Sequence, residues 1–191
     1  MGARLSRRAR WLWGAGAAIA LVVAIGLGLL FQPWLLFIDV RVADAIPSTA
    51  ATASAAPSAA PADDVTATPT PPAPAAPVDI LAGTFVSHEH ATTGSARVIE
   101  HPDGSRQLAI EALETTNGPD VHVWLSAGPV IEGFDGWFTA AGYEHVDLGP
   151  IKGNLGDQIY DIPEGVDLDT FRAVDLWCVQ FAVSFGAAAL S

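Results

Sequence analysis

The chain opens with one long apolar run and continues, after a gap, with short segments of alternating polarity. No charged residue occurs between Arg10 and Asp39. As a helix, residues 11–31 alone cover the roughly 30 Å hydrocarbon core of a bilayer. That run shows no amphipathic stripe, which argues against a helix buried in a soluble core. The pattern predicts a transmembrane helix with its interface region over residues 11–38.

The charges that flank the apolar run predict its orientation. Four of the nine basic residues lie within the first ten positions, which places a short tail, residues 1–10, in the cytoplasm and the C-terminal part outside a plasma membrane crossed once. A cleaved signal peptide is the alternative. Signal peptides have a shorter apolar region, roughly 7–15 residues, followed by small residues. Here bulky residues 34–38 follow instead, which favours an uncleaved anchor.

The segment between the apolar run and the alternating region has the composition of a linker. Eight prolines fall within residues 47–77, which otherwise consist almost entirely of Ala, Ser and Thr. Val65 is the one large aliphatic residue there, so the segment cannot bury enough apolar surface to offset its ordering entropy. We expect residues 39–77 to be an Ala/Pro-rich linker that spaces the outer domain, residues 78–191, away from the membrane.

The alternation in residues 78–191 has a period of two and predicts an all-β domain, an antiparallel sandwich or barrel-like fold. Pro102-Asp103-Gly104 is a turn signal and predicts a hairpin between its flanking strands. No helical stripe of ten or more residues separates the turn signals. The predicted strands cover residues 83–89, 96–101, 105–113, 121–125, 143–148, 158–162 and 171–185.

The last predicted strand decides the expected position of the only cysteine. If residues 171–185 form one regular strand, the larger apolar side chains from Trp177 to Phe185 lie on one face and face the core. Cys178 then lies on the opposite, more polar face. A β-bulge would reverse this assignment.

Charge and composition narrow the classes of function. From Asp79 to the C-terminus, 17 acidic residues stand against four basic ones, a net charge of −13. Such a domain repels nucleic acid, which is therefore not expected as a partner. The sequence contains no phosphate-binding loop, nucleophile elbow or metalloprotease motif. We therefore expect no autonomous enzyme.

The candidate chemistry rests on one cysteine and one pair of histidines. Cys178 cannot form an internal disulfide, and an unpaired thiol outside the cytoplasm is unusual. It is either a small buried hydrophobe or a redox-active thiol, a metal or haem ligand, or a cross-link to a partner. His88 and His90 share one face if their segment is a strand, and with a thiolate they would suit copper or zinc. An exposed strand pair is the alternative for these histidines.

Several sequence blocks in the outer domain carry a resemblance to a known family. They are Gly83–Phe85 with His90, Gly118–Val121 leading into Val123–Ser126, Leu148–Asn154, Gly156–Pro163, and Leu176–Gly186. In combination these blocks, from about residue 83 to 190, resemble the DM-thirteen domain, a proposed electron-transfer module. The Phe31–Trp34 exit from the apolar run is similar to that of single-span bacterial members.

The resemblance implies a function centred on the cysteine. The characteristic cysteine of the family falls on Cys178 and is suggested to act as a bare thiol or as a ligand to haem. Haem or copper is a possible cofactor, and the electron partner would be a separate redox protein. We therefore expect a membrane-anchored, extracytoplasmic redox or ligand-binding module. The alternative is a structural or adhesive envelope domain in which Cys178 is part of the core.

Overall fold

The computed structural model describes residues 7–49 and 75–191 and omits side-chain placement for residues 7–12, 14 and 36. Helix α1 spans Arg7–Phe31 and is followed by a short 3₁₀ helix, Pro33–Phe37. Between them Gln32 adopts a left-handed conformation with φ of 43°. Proline at the next position lacks the amide that would continue α1. No helix that the structure describes reaches the length and apolarity that a bilayer span requires.

The remaining described chain is mostly β, as the alternation predicts. The strands are β1 Arg41–Ala43, β2 Val78–Ser87, β3 Thr93–Glu100, β4 Arg106–Glu114, β5 Val121–Ser126, β6 His145–Pro150, β7 Leu155–Ile162, β8 Ala173–Cys178 and β9 Val183–Ala189. They form one sheet in the order β1-β7-β4-β3-β2-β9-β8-β5-β6. Among these described strands, only β1 pairs in parallel, with β7. A second 3₁₀ helix, Phe134–Gly142, connects β5 to β6.

The sheet curls so that both of its halves contribute to one core. Val98, Leu108 and Ile110 come from one half, and Val123 and Leu176 from the other; all five are fully buried in a single cluster. Register shifts interrupt five of the antiparallel pairings. Each such irregularity adds local twist and bends its strand, which favours a curled sheet. The architecture is therefore one continuous barrel-like sheet.

Most of the predicted strands and the predicted hairpin are confirmed. β3 and β4 pair across the 102–104 turn, with Glu100 opposite Arg106. Gly104 has φ of 84°, a value that glycine adopts without the steric cost of a side chain. The hairpin therefore forms where the local turn chemistry predicts it.

The prediction of one strand over 171–185 is wrong. The chain turns between Cys178 and Val183, and Ala182 has φ of 51°. The apolar alternation continues through this turn because Phe181, one of the turn residues, contacts another element. Phe181 is 43% exposed and stacks on Phe31 at the end of α1, with ring centroids 5.7 Å apart.

The structure describes both ends of the predicted linker, residues 39–77, namely residues 39–49 and 75–77. Strand β1 lies within this segment and forms one edge of the sheet. Residues 50–74 of the predicted linker and residues 1–6 of the predicted cytoplasmic tail lie outside the described residues.

Candidate functional site

An apolar groove of about 460 Å³ lies between the end of α1 and the curled sheet. The N-terminal segment supplies one wall and the β domain supplies the others. The residues that line it are Phe31, Gln32, Pro33, Leu35, Glu89, His90, Asn117, Gly118, Pro119, Trp137, Phe138, Phe181, Val183 and Phe185. Its volume is within the range of small-ligand sites, and six of its side chains are aromatic or imidazole rings.

The wall from the N-terminal segment contacts the β8–β9 turn directly. The rings of Phe31 and Phe181 stack with an interplanar angle of 15°. The side-chain amide of Gln180 donates a hydrogen bond to the carbonyl oxygen of Leu30. On the other side of the groove, the side-chain amide of Asn117 donates to the carbonyl oxygen of Ile38 at 3.3 Å. These contacts join the N-terminal wall to the β domain on both sides of the groove.

His90 is the imidazole of the groove. Its ring lies against Phe185, with centroids 3.9 Å apart, and its Nε2 is 2.5 Å from a carboxylate oxygen of Glu89. Burial lowers the pKa of His90, and the charge of Glu89 offsets part of that shift. In the neutral ring Nε2 donates to Glu89, so Nδ1 can accept a hydrogen bond from a ligand without adding a charge to the groove.

His88 points to a different environment, although it is only two residues away. Its Nε2 is 3.0 Å from the carbonyl oxygen of Ile131 and must donate to it, because a carbonyl only accepts. In the neutral ring Nδ1 is then the acceptor, 2.7 Å from the Ser184 hydroxyl. Burial lowers the pKa of His88, which favours this neutral form. Both ring nitrogens are therefore occupied by protein groups.

The residues present do not fit a resident copper, zinc or haem on the predicted ligands. Because both His88 nitrogens are engaged, the ring has no free lone pair for a metal. Within residues 7–49 and 75–191, no three His, Cys, Asp or Glu side chains come together as a metal-binding group. His88 and His90 lie past the end of β2, so the shared strand face on which the pairing was predicted does not form.

Cys178 is in the main core, contrary to the prediction that it lies on the more polar face of its strand. Its side chain is fully buried, and its cross-strand neighbours are Val121 and Val183. Burial raises the pKa of the thiol, and the backbone amides of Phe181 and Gln180 offset part of this effect. The thiol is therefore protonated at neutral pH. Val183, the partner of Cys178 on the neighbouring strand, lines the groove. Cys178 itself does not line it.

A second buried cluster lies on the other face of β8. Asp175 is 4% exposed, and burial raises the pKa of its carboxyl to about 7, although the nearby Ser184 hydroxyl acts in the opposite direction. Ser184 therefore lies between Asp175 and His88, and its single proton is donated to His88. Among the described residues, Oδ1 of Asp175 and Nε1 of Trp124 have no hydrogen-bond partner. These two residues are directly opposite each other on β8 and β5.

Three rings stack beside this polar cluster. Trp124 lies 3.6 Å from His145 and 5.1 Å from Trp177, measured between ring centroids, with interplanar angles of 10° and 20°. Ala140 of the second 3₁₀ helix packs on the two tryptophans. His145 is exposed, so the stack runs from the surface to the buried face of β8.

Comparison with known families explains the blocks found in the sequence. The family model described as electron transfer DM13 matches residues 84–190, more than half of the chain. The chain belongs to the DM13 family. The DM13 region contains Cys178, both candidate histidines, Asp175 and the aromatic stack, whereas the Phe31–Leu35 wall of the groove precedes it. Comparisons with curated proteins and with solved structures found no match.

Sequence reasoning missed the polar cluster of the DM13 domain. Its signal was Asp175, the single charged residue in a strand that is buried at every position. A carboxyl in such a strand requires a partner, and Ser184 lies on the neighbouring strand. The groove had no comparable signal, because its walls come from distant parts of the chain.

Proposed function

We propose that this protein is an electron-transfer-related module that binds an apolar, ring-shaped electron carrier of the quinone class in its groove. The observation that carries the proposal is the groove itself, which combines stacked aromatic walls with a neutral imidazole. DM13 membership supports the connection with electron transfer. The carrier brings its own redox chemistry, and the residues of this chain bind and orient it.

The shape and polarity of the groove favour a flat ligand with few polar atoms. Phe138 and Phe181 line the groove with exposed rings, on which an aromatic ligand stacks with about 0.5–1.5 kcal/mol per contact beyond simple burial. The side-chain amide of Asn117, which has a second N–H, is placed to donate to a ring carbonyl. The free Nδ1 of His90 is placed to accept from a hydroxyl of the reduced carrier. The lining residues include no Lys or Arg, so the groove is poorly suited to a phosphate or carboxylate ligand.

The proposal also includes the location of the protein. We propose that the N-terminal helix anchors the chain in a plasma membrane, with the DM13 domain outside. The uncharged run and the basic residues before it support this topology. Protease treatment of intact cells is expected to remove the DM13 domain and to spare the first 30 residues or so, since a span is about 20 residues long. A mature protein that begins after Ile38 would contradict the anchor.

Binding of 2-methyl-1,4-naphthoquinone to the full chain in detergent micelles tests the groove. We expect saturable quenching of tryptophan fluorescence, because Trp137 lines the groove. Phe181→Ala is expected to weaken binding about two- to ten-fold through the loss of one aromatic contact. Tyr143→Ala is the matched control, because this ring is similarly exposed, 47% against 43%, and lies outside the groove.

Two results would contradict the proposal. One is quenching no greater than the partition of the quinone into protein-free micelles. The other is an equal loss of affinity in the Phe181 and Tyr143 variants. Either result would favour the alternative, a structural or adhesive envelope domain without a redox ligand.

A further inference from the structure

The segment that follows the first 3₁₀ helix lies along the edge of the β domain. Strand β1 pairs in parallel with β7, and Val42 is opposite Gly156. The amide of Leu155 donates to the carbonyl oxygen of Val40 at 3.2 Å, and the amide of Asp44 donates to that of Asp157 at 3.0 Å. The edge of the sheet is therefore occupied by a segment from outside the DM13 match.

Side chains of the β domain hold both ends of this segment. Oδ1 of Asn154 accepts a hydrogen bond from the backbone amide of Val40 at 2.7 Å, and Nδ2 donates to Asp39 at 2.9 Å. At the other end, the ammonium of Lys152 lies 2.6 Å from Asp44. The same carboxylate oxygen of Asp44 accepts from the amide of Ile159 at 3.0 Å. Asn154 is 1% exposed, so its side chain is buried where it binds the segment.

Two glycines of the β domain leave room for the backbone of the segment. A Cβ atom at Gly153 would lie 2.4 Å from the carbonyl oxygen of Val40, and one at Gly156 would lie 2.0 Å from that of Val42. Both distances are far below a van der Waals contact. The Lys-Gly-Asn sequence at 152–154, together with Gly156, therefore forms a slot shaped for a strand.

The residues after β1 remain on the same domain. The carbonyl oxygen of Pro47 accepts from Arg97 at 3.3 Å, and the hydroxyl of Thr49 donates to Asp79 at 2.7 Å. Asp79 is the second residue of β2. A direct hydrogen bond from Thr49 to Asp79 thus joins the described residues on the two sides of the Ala/Pro-rich stretch.

We propose that residues 39–44 act as a clasp: the slot on β7 accepts this strand from the same chain and thereby holds the end of α1 against the groove. In this arrangement the described residues on both sides of the Ala/Pro-rich stretch belong to one domain, so the length of that stretch does not set the distance between α1 and the DM13 domain. The groove is then complete only while the clasp is closed, because Phe31, Pro33 and Leu35 form its N-terminal wall.

Hydrogen exchange of the full chain in detergent micelles, followed by mass spectrometry of its peptides, tests the clasp. We expect residues 39–46 to be protected in the natural sequence. Gly153→Ala places a methyl group against the backbone of Val40 and is expected to accelerate exchange in residues 39–46 and 153–160 about ten-fold or more. Gly142→Ala is the control, because a Cβ atom there meets nothing within 4 Å.

A second variant separates opening of the clasp from a general loss of folding. Asp44→Ala removes the contacts to Lys152 and Ile159 from the clasp side and leaves the β domain unaltered. It is expected to accelerate exchange in residues 39–46 with no change in β8 or β9. Asp169→Ala is its control, because Asp169 pairs only with its neighbour Arg172 among the described residues.

Two outcomes would overturn the proposal. If residues 39–46 exchange at the rate of an unstructured peptide in the natural sequence, the segment is a free tether. If their protection decreases on dilution while the protein passes from dimer to monomer, the strand comes from a second copy. Absence of quinone binding in a protein whose residues 39–46 remain protected would contradict the groove proposal alone, so the two proposals can be distinguished.

Discussion

On one face of β8, Val174, Leu176 and Cys178 join the main core of the domain. On the other face lie Asp175 and Trp177, and Trp177 packs against Ala140 of the second 3₁₀ helix. Both faces are buried, but the first contains only apolar groups and a protonated thiol. The second contains a carboxyl group that shares Ser184 with His88. The comparison teaches that the lone cysteine is on the face without ionised groups, while the strongly perturbed titratable group, Asp175, is on the face that the alternation assigned to an apolar core.

The largest effect is expected from the carboxyl of the polar face. The folded-state pKa of Asp175, about 7, lies above its unfolded value of 3.8. Between these values the folded protein binds more protons than the unfolded chain, so the free energy of unfolding falls as pH rises from 4 to 7. Asp175→Asn removes this contribution, and relative to the natural sequence the variant is expected to gain up to about 4 kcal/mol between pH 4 and pH 8.

Denaturant unfolding at several pH values measures this difference. His88 has a lowered pKa and destabilises the fold as pH falls through its range, but it is present in both proteins and cancels in the comparison. Asp135→Asn, at an exposed position, is the control for the loss of a carboxylate as such. A parallel pH profile for Asp175→Asn and the natural sequence would show that the carboxyl is not held in its neutral form.

A smaller effect is expected on the apolar face. Cys178→Ser places a hydroxyl in the main core and is expected to reduce the free energy of unfolding by about 1–3 kcal/mol. In the folded state Cys178 is expected to resist a thiol reagent and to react only after denaturation, because the side chain has no exposed surface. Rapid labelling of the native protein would show instead that the turn between β8 and β9 opens, and would restore Cys178 as a redox candidate.

The smallest effect concerns the hydroxyl that joins two groups of the polar face. Ser184→Ala leaves Nδ1 of His88 without its donor and removes the hydroxyl that lowers the pKa of Asp175. We expect a loss of about 1–2 kcal/mol in the free energy of unfolding. Ser105→Ala is the control, because its hydroxyl contacts only Asp103 in an exposed turn, and should change stability by less than about 0.5 kcal/mol. Equal effects of the two substitutions would show that the cluster contributes no more than a surface turn.

The sequence by itself determined the local elements of this protein. Alternation with a period of two, broken by turn residues, identified the all-β class and the hairpin around Gly104, because strand periodicity and turn chemistry depend on neighbouring residues. The blocks between residues 83 and 190 also identified the DM13 family, since a family pattern consists of residue types at fixed spacing.

Only the tertiary structure decided which side chains meet. Alternation gives two faces but does not say which of them another element covers, and in β8 both are covered. Phe181 continued the apolar pattern because it contacts Phe31, a residue 150 positions earlier in the chain. Likewise, β1 is too short to be recognised from its own three residues, and it forms because Gly153, Asn154 and Gly156 provide a slot for it. Such contacts depend on the way the sheet curls, and no local pattern encodes that.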